Sequence, residues 1–260
     1  MKVIILCGGQ GTRLREETEF KPKPMIEIGG KPILWHIMKM FSFYGYKKFI
    51  LALGYKGDVI RDYFLNYKFY NNDFTIKLEN DNNIIFHTNN EEKEWEITMV
   101  ETGAETMTGF RTKVCEKYIN EENFILTYGD AVGNINIKEL ITFHKKQNTI
   151  GTVTGVFPPS RFGDLYVEGD FVFKFKEKKI DIKNQSPING GFFVFKKEFF
   201  KYLEENPELV LETKPMDMLV KENQLSVYRH NGFWQCMDTY RDFQLLNNLW
   251  LTKPEWKIWE

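Results

Sequence analysis

A chain that opens on a short apolar run and passes straight into glycines has few ways to fold. Lys2 to Cys7 is such a run, and Gly8, Gly9 and Gly11 follow it. Apolar residues without alternation read as a strand buried on both faces, the situation of a parallel sheet covered by helices. The next segments keep to that plan. Pro32 to Tyr44 carries apolar residues at helical spacing, with proline at its start and Gly45 after its end. Lys47 to Tyr55 is a second apolar strand, and "GDVIRDYFLNY" a second helix.

The segment from Asn71 to Gly103 is different. It is rich in Asn and Glu and alternates in "FTIKLEN" and "EWEITMVE", so it reads as hairpin strands and loops inserted into the sheet. The strand-helix-strand order resumes with "ENFILTYGD", "IKELITFHKKQ" and "TIGTVTGVF". Beyond Pro158, "GDLYVEGDFVFKFKEK" and "NGGFFVFKK" predict antiparallel strands. Helices follow near Lys197 to Glu205, near Met216 to Glu222 and over Asp242 to Trp250, while Trp256 and Trp259 sit in a polar end. The fold class is α/β: a Rossmann-like, mixed but mostly parallel central sheet flanked by helices, with a β-rich second half. No repeat or linker divides residues 1–260, which read as one domain. Residues 1–156 form mainly one half and 157–260 the other.

Charge and composition narrow the partners. The formal net charge is −1, which lacks the basic excess of a nucleic-acid binder. No stretch approaches the roughly 20 apolar residues of a membrane span, and the first residues lack the pattern of a secretory signal. Cys7, Cys115 and Cys236 fit no metal spacing and read as free thiols in a reducing compartment. A cytoplasmic protein is expected. His36, His87, His144 and His230 fit no triad or metal pattern.

The glycine segment "CGGQGTRL" is neither of the two common phosphate motifs. No Lys-Ser/Thr pair stands at the distance a P-loop needs, and Leu14 occupies the third glycine position of a dinucleotide fingerprint. What remains is a turn whose backbone N–H groups can surround phosphates, with Arg13 as a charge clamp, or simply a tight turn with an exposed arginine. In "KPKP", Pro22 and Pro24 predict extended backbone at Lys21 and Lys23. Two ammonium groups set in this way can neutralise a triphosphate; an unengaged surface pair is the alternative.

These blocks, together with "GGKPIL" and "YGD", resemble the sugar-nucleotide pyrophosphorylases, nucleotidyltransferases that join a nucleoside triphosphate to a sugar 1-phosphate. "EETEFKPKPMIEIGGKPILWHIMKM", "MTGFR", "FPPSRFG", "INGGFFV" and "GFWQCMDTYRD" resemble more closely the branch that uses CTP and glucose 1-phosphate. The resemblance covers essentially the whole chain. It implies a nucleotide site of Leu6, Gly8, Gly9, Gly11, Thr12, Arg13, Lys23, Thr108, Arg111, Tyr128 and Asp130. It implies an acceptor site of Tyr128, Glu177, Lys178, Asn189 and Gly190, with Lys178 on the acceptor phosphate. Arg13, Lys23, Asp130 and Asp238 would be the catalytic group, with Asp130 and Asp238 holding Mg²⁺. It also implies a homo-oligomer, trimer or hexamer, in which the inserted segment is a plausible interlocking element.

Residue chemistry supports part of this independently. Nucleotidyl transfer brings two anions together, so charge neutralisation is the main requirement. Asp130 ends the strand "FILTYGD", at the sheet edge where ligands gather in open α/β folds. On local grounds alone either aspartate reads equally well as a loop cap, and "KFKEKK" as a solvated charged face. Four positions depart from the family pattern: Ala131, Asn134, Asp164 and Lys179. They lie in or near the acceptor half, which leaves another phosphate acceptor, or a nucleotide-binding regulatory subunit without turnover, as competing readings.

Overall fold

The fold is that of a computed structural model, which describes residues 1–14, 18–78, 83–88, 91–158, 164–176 and 186–259. Strand β1 (Val3–Leu6) is followed by a ribbon of β2 (Glu27–Ile28) and β3 (Lys31–Pro32), then helix α1 (Ile33–Phe43), β4 (Lys48–Leu53) and helices α2 (Gly57–Leu65) and α3 (Tyr67–Asn71). A hairpin of β5 (Phe74–Lys77) and β6 (Asn83–Phe86) precedes β7 (Glu96–Glu101), α4 (Thr108–Val114), β8 (Asn123–Tyr128) and β9 (Ala131–Gly133). Next come α5 (Ile137–Gln147), β10 (Gly151–Val156), the hairpin β11 (Asp164–Glu168) with β12 (Phe171–Lys176), and β13 (Ile188–Lys196). Helix α6 (Lys214–Lys221), β14 (Leu225–His230), β15 (Trp234–Cys236) and α7 (Tyr240–Thr252) follow.

Among the described residues the main sheet has seven strands in the order β14-β10-β13-β8-β1-β4-β7. β1 pairs in parallel with both β4 and β8, and β7 extends the sheet in parallel beyond β4. β13 runs antiparallel between β10 and β8. The chain therefore leaves β1 in both directions, and the edge beyond Leu6 and Tyr128 is a topological switch point, where open α/β sheets bind ligands. Because β13 is reversed, its first residues, Ile188 to Gly190, arrive at that same edge.

Both faces of β1 are buried, which is why its sequence does not alternate. Val3, Ile5 and Cys7 pack with α1, α5 and α7 residues such as Ile37, Leu140 and Leu246. Ile4 and Leu6 face the other way, onto Phe199, Leu209 and Leu219.

Two expectations are corrected here. The insertion is shorter than Asn71 to Gly103, because β7 is an edge strand of the main sheet. Its alternation reflects a half-covered edge, a pattern it shares with a hairpin. The β-rich second half also contributes to that sheet, since β13 lies inside it. Trp256 is fully buried rather than part of a polar tail, its indole N–H directed at His36 Nδ1 at 3.4 Å.

Candidate active site

A cavity of about 1170 Å³ opens at the switch point. One wall is the loop after β1. Gly11 has φ +64, and a Cβ there would meet Thr18 Cγ2 at 2.9 Å, so the turn requires glycine. Behind this loop lies Arg111, 3% exposed. Its guanidinium donates to the carbonyls of Leu53 (3.2 Å), Gly103 (2.7 Å), Ala104 (3.3 Å) and Gly8 (3.0 Å) and to Thr102 Oγ1 (2.7 Å). It lies so close that a Cβ on Gly8 would stand 2.0 Å from Nη1.

At the mouth, cations and carboxylates interlock. Lys23 Nζ donates to Asp130 Oδ2 at 2.7 Å and to Asp238 Oδ1 at 2.6 Å, and Arg13 Nη1 to Asp238 Oδ2 at 3.0 Å. Burial by itself disfavours charge on Lys23, but Asp130 and then Asp238 outweigh it and raise its pKa. The ammonium therefore stays charged. Asp130 follows the end of β8, and Asp238 stands just before α7. The Asp238 N–H donates to Asp242 Oδ2 at 3.2 Å, and Asp242 also closes a capping box with Thr239. Two hard-oxygen carboxylates converging on one cation are a donor set that suits Mg²⁺, which binds through one or two carboxylates and substrate phosphates. Among the described residues no third acidic, His or Cys side chain joins a metal-binding group.

The opposite wall is Tyr128, Asn189 and Gly190 together with Thr108, which the sequence reading groups with the nucleotide residues. Tyr128 Oη donates to Glu212 Oε1, and Asn189 Nδ2 donates to Tyr128 Oη at 3.4 Å. Thr108 Oγ1 donates to Glu212 Oε2 at 2.8 Å. Trp234 Nε1 donates to the Gly190 carbonyl at 2.8 Å and fixes that corner.

Leu6, Gly8, Gly9, Gly11, Thr12, Arg13, Lys23, Thr108, Arg111, Tyr128, Asp130, Asn189, Gly190 and Asp238 thus line a single cavity. Glu177, Lys178 and Lys179 lie outside the described residues, as does the side chain of Asp164. Ala131 pairs with Cys236 in a β9–β15 ribbon and forms part of the lining.

Three predicted details change. Arg111 braces the loop with carbonyl-bound N–H groups instead of offering them to phosphates. Lys21 turns away to Glu27, at 2.6 Å. Lys23 is not extended but begins a 3₁₀ turn, Lys23–Met25, closed by Met25 N–H on the Pro22 carbonyl at 2.8 Å. That backbone bond overrides the bias of the following proline.

Glu212, Trp234 and Asp242 were missed by sequence reasoning. The Thr239-x-x-Asp242 spacing was a readable cap signal. Glu212 carried none, being joined to Thr108 and Tyr128 only by the fold.

Comparison with known proteins gives one consistent answer. The family described as nucleotidyl transferase matches residues 2–248. Glucose-1-phosphate cytidylyltransferase of Salmonella typhi is 45% identical over 262 residues, covering 100% of each chain. The protein of that name from Salmonella typhimurium is 45% identical with the same coverage. UDP-glucose pyrophosphorylase from Acinetobacter baumanii shares the fold, with TM-score 0.70 at 15% identity over 98% of this chain and 95% of that one.

Proposed function

Because the chain belongs to the nucleotidyl transferase family, and within it to the glucose-1-phosphate cytidylyltransferases, we propose that it transfers CMP from CTP to α-D-glucose 1-phosphate, giving CDP-glucose and pyrophosphate. The observation that carries this reading is the meeting of Lys23 with Asp130 and Asp238 beside the glycine loop, in one cavity large enough for two substrates.

The acceptor phosphate attacks the α-phosphorus in line, and pyrophosphate leaves. No general base is required, because that phosphate is already ionised at neutral pH. The chain's own work is positioning and charge. The loop N–H groups and Arg13 receive the triphosphate, and Lys23 is near enough to follow the charge that builds during transfer. Asp130 and Asp238 are the residues that would hold Mg²⁺, whose chemistry is to neutralise phosphate oxygens as a Lewis acid. Tyr128 and Asn189 meet the sugar. The Glu-Lys pair at Glu177 and Lys178 supports an acceptor-phosphate contact by Lys178.

A homo-oligomer, trimer or hexamer, is part of this reading. It is supported by apolar side chains exposed along the hairpin and the helices before it: Leu65, Phe69, Phe74, Ile76 and Ile85. Light scattering should give a multiple of 30.9 kDa, and a fully active monomer would refute it. None of the described helices is long and apolar enough to cross a membrane, which accords with a cytoplasmic enzyme.

The test of function is a matrix of nucleoside triphosphates against phosphate acceptors, scored by pyrophosphate release and product mass. CTP with glucose 1-phosphate should give the highest kcat/KM. Faster turnover of a different phosphate would move the acceptor, and Ala131, Asp164 and Lys179 would be the first residues to exchange.

A further inference from the structure

The acceptor wall of the cavity owes its hydrogen-bonding polarity to Glu212, which stands behind it. A carboxylate can only accept, so the two hydroxyls that touch it must both donate to it. Tyr128 Oη spends its single proton on Glu212 Oε1, and Thr108 Oγ1 spends its own on Oε2. Thr108 Oγ1 in addition accepts the Leu211 N–H at 2.9 Å. The orientation of Asn189 is also fixed, since its Oδ1 accepts the Gly191 N–H at 2.8 Å, leaving its amide N–H groups toward Tyr128. Burial and the neighbouring Glu212 both push the Tyr128 phenol upward in pKa, so it keeps its proton.

Glu212 is held firmly. The adjoining Leu211 is fully buried, and the segment before it is stitched to the start of α4. Met107 N–H donates to the Pro207 carbonyl at 2.8 Å, and Gly109 N–H to the Leu209 carbonyl at 2.8 Å. The carboxylate therefore links the loop that carries Thr108 to the strand end that carries Tyr128. With its O–H committed to Glu212 and its oxygen reached only by the long Asn189 contact of 3.4 Å, Tyr128 Oη can act toward the cavity only as an acceptor.

We propose that Glu212 is a positioning residue that holds the Tyr128 hydroxyl as a hydrogen-bond acceptor, so that this wall admits an acceptor molecule through a hydroxyl donor. The inference rests on the sugar-phosphate reading above and deepens it. An acceptor hydroxyl backed by an anion repels phosphate oxygens and rewards a sugar O–H, while the Asn189 amide is the donor beside it. Its sensitivity is high, because a polar pocket loses heavily when the matching group is absent.

The test uses the full-length enzyme with CTP and glucose 1-phosphate, its monodeoxyfluoro analogues, and the variants Glu212→Gln and Tyr128→Phe. Fluorine cannot donate. The intact enzyme should therefore lose about tenfold in kcat/KM on at least one analogue, the cost of one hydrogen bond to a charged network. Glu212→Gln should raise KM for glucose 1-phosphate about tenfold and KM for CTP by clearly less, the split that separates a sugar-side effect from a general loosening of Thr108 and Tyr128. In that variant the amide can donate to Tyr128, whose own O–H is then free to turn inward, so discrimination against the fluoro analogue should shrink. Tyr128→Phe should reproduce the loss, and the double variant should be no worse than either single one, the mark of one shared interaction. An unchanged analogue profile in Glu212→Gln, or an equal rise in both KM values, would overturn the inference while leaving the reaction intact. If the intact enzyme turned over no hexose 1-phosphate, the sugar-phosphate reading itself would fall, and this inference with it.

Discussion

The two walls of the cavity are backed by opposite charges. Behind the glycine loop sits Arg111, buried, with its guanidinium tied to backbone carbonyls; behind the acceptor wall sits Glu212, tied to two hydroxyls. Each determines what its wall presents. The Gly8 carbonyl is drawn down to Arg111 and also accepts the Tyr55 N–H at 3.2 Å, which leaves the N–H side of the loop for the ligand. Glu212 accepts the hydrogen bonds of Tyr128 and Thr108, which leaves their lone pairs. A wall of donors suits a triphosphate and a wall of acceptors suits a sugar. On the proposed function the cavity would sort its two substrates by polarity, and neither backing charge would need to touch them.

Between the walls stand the carboxylates, and their loss should have the largest effect. Asp130→Asn and Asp238→Asn should each lower kcat on the order of a hundredfold or more, since each removes charge at the point where phosphate charge builds. Nucleotide binding, measured by calorimetry, should largely survive, because the glycine loop and Arg111 are untouched. Near-normal turnover in either variant would show that the carboxylate pair is not the hinge between the walls.

Arg111→Met should come next, and it should register in stability as well as rate. The substitution strands several carbonyls that now accept from one guanidinium, a loss of about 3 kcal/mol in unfolding free energy. Urea titration measures it directly. KM for CTP should rise with it as the loop loses its brace, whereas KM for the sugar phosphate should move little. A variant with wild-type stability but poor CTP use would place Arg111 on the nucleotide itself, and the comparison of the walls would lose its first half.

The donor wall was far more legible in the sequence than the acceptor wall. Gly8, Gly11, Arg13 and Lys23 lie within one short stretch, so the chemistry of the loop is visible in a single motif. The mostly parallel central sheet was readable too, since β1, β4 and β8 are each apolar without alternation. Arg111 was found as a site residue, but its hold on the loop was not legible. A sequence shows that an arginine is present, not that carbonyls from Gly8, Leu53 and Gly103 have closed around it. The acceptor wall is assembled from Thr108, Tyr128, Asn189 and Glu212, which meet only after β13 has reversed into the sheet. A glutamate in "LVLETKP" has no local mark that separates it from a solvated one. In the Asn71 to Gly103 segment the β5–β6 hairpin was legible but the place of β7 was not, because alternation describes a half-covered strand without saying what covers it.

The smallest effects should separate the two cations at the mouth, which the sequence alone treats as equivalents. Arg13 is 76% exposed on its side chain and makes one ion pair, whereas Lys23 is 13% exposed and bridges both aspartates. Arg13→Ala should change stability by only about 0.5 kcal/mol, because an exposed pair gains little from its Coulomb energy. Both Arg13→Ala and Arg13→Lys should nevertheless weaken CTP use, as a planar fork is not replaced by a point charge. Lys23→Ala differs in a way that activity alone would not reveal. In the free protein the Lys23 ammonium neutralises the same oxygens a divalent ion would need. Its removal should therefore strengthen Mn²⁺ binding to the nucleotide-free protein, read by electron paramagnetic resonance, while productive CTP use falls. Arg13→Ala should shift that metal affinity less, since it removes one ion pair of Asp238 and leaves Lys23 on both carboxylates. If Lys23→Ala bound Mn²⁺ no better than the intact chain, the two carboxylates would need the nucleotide's own phosphates to gather an ion, and Lys23 would serve the triphosphate alone.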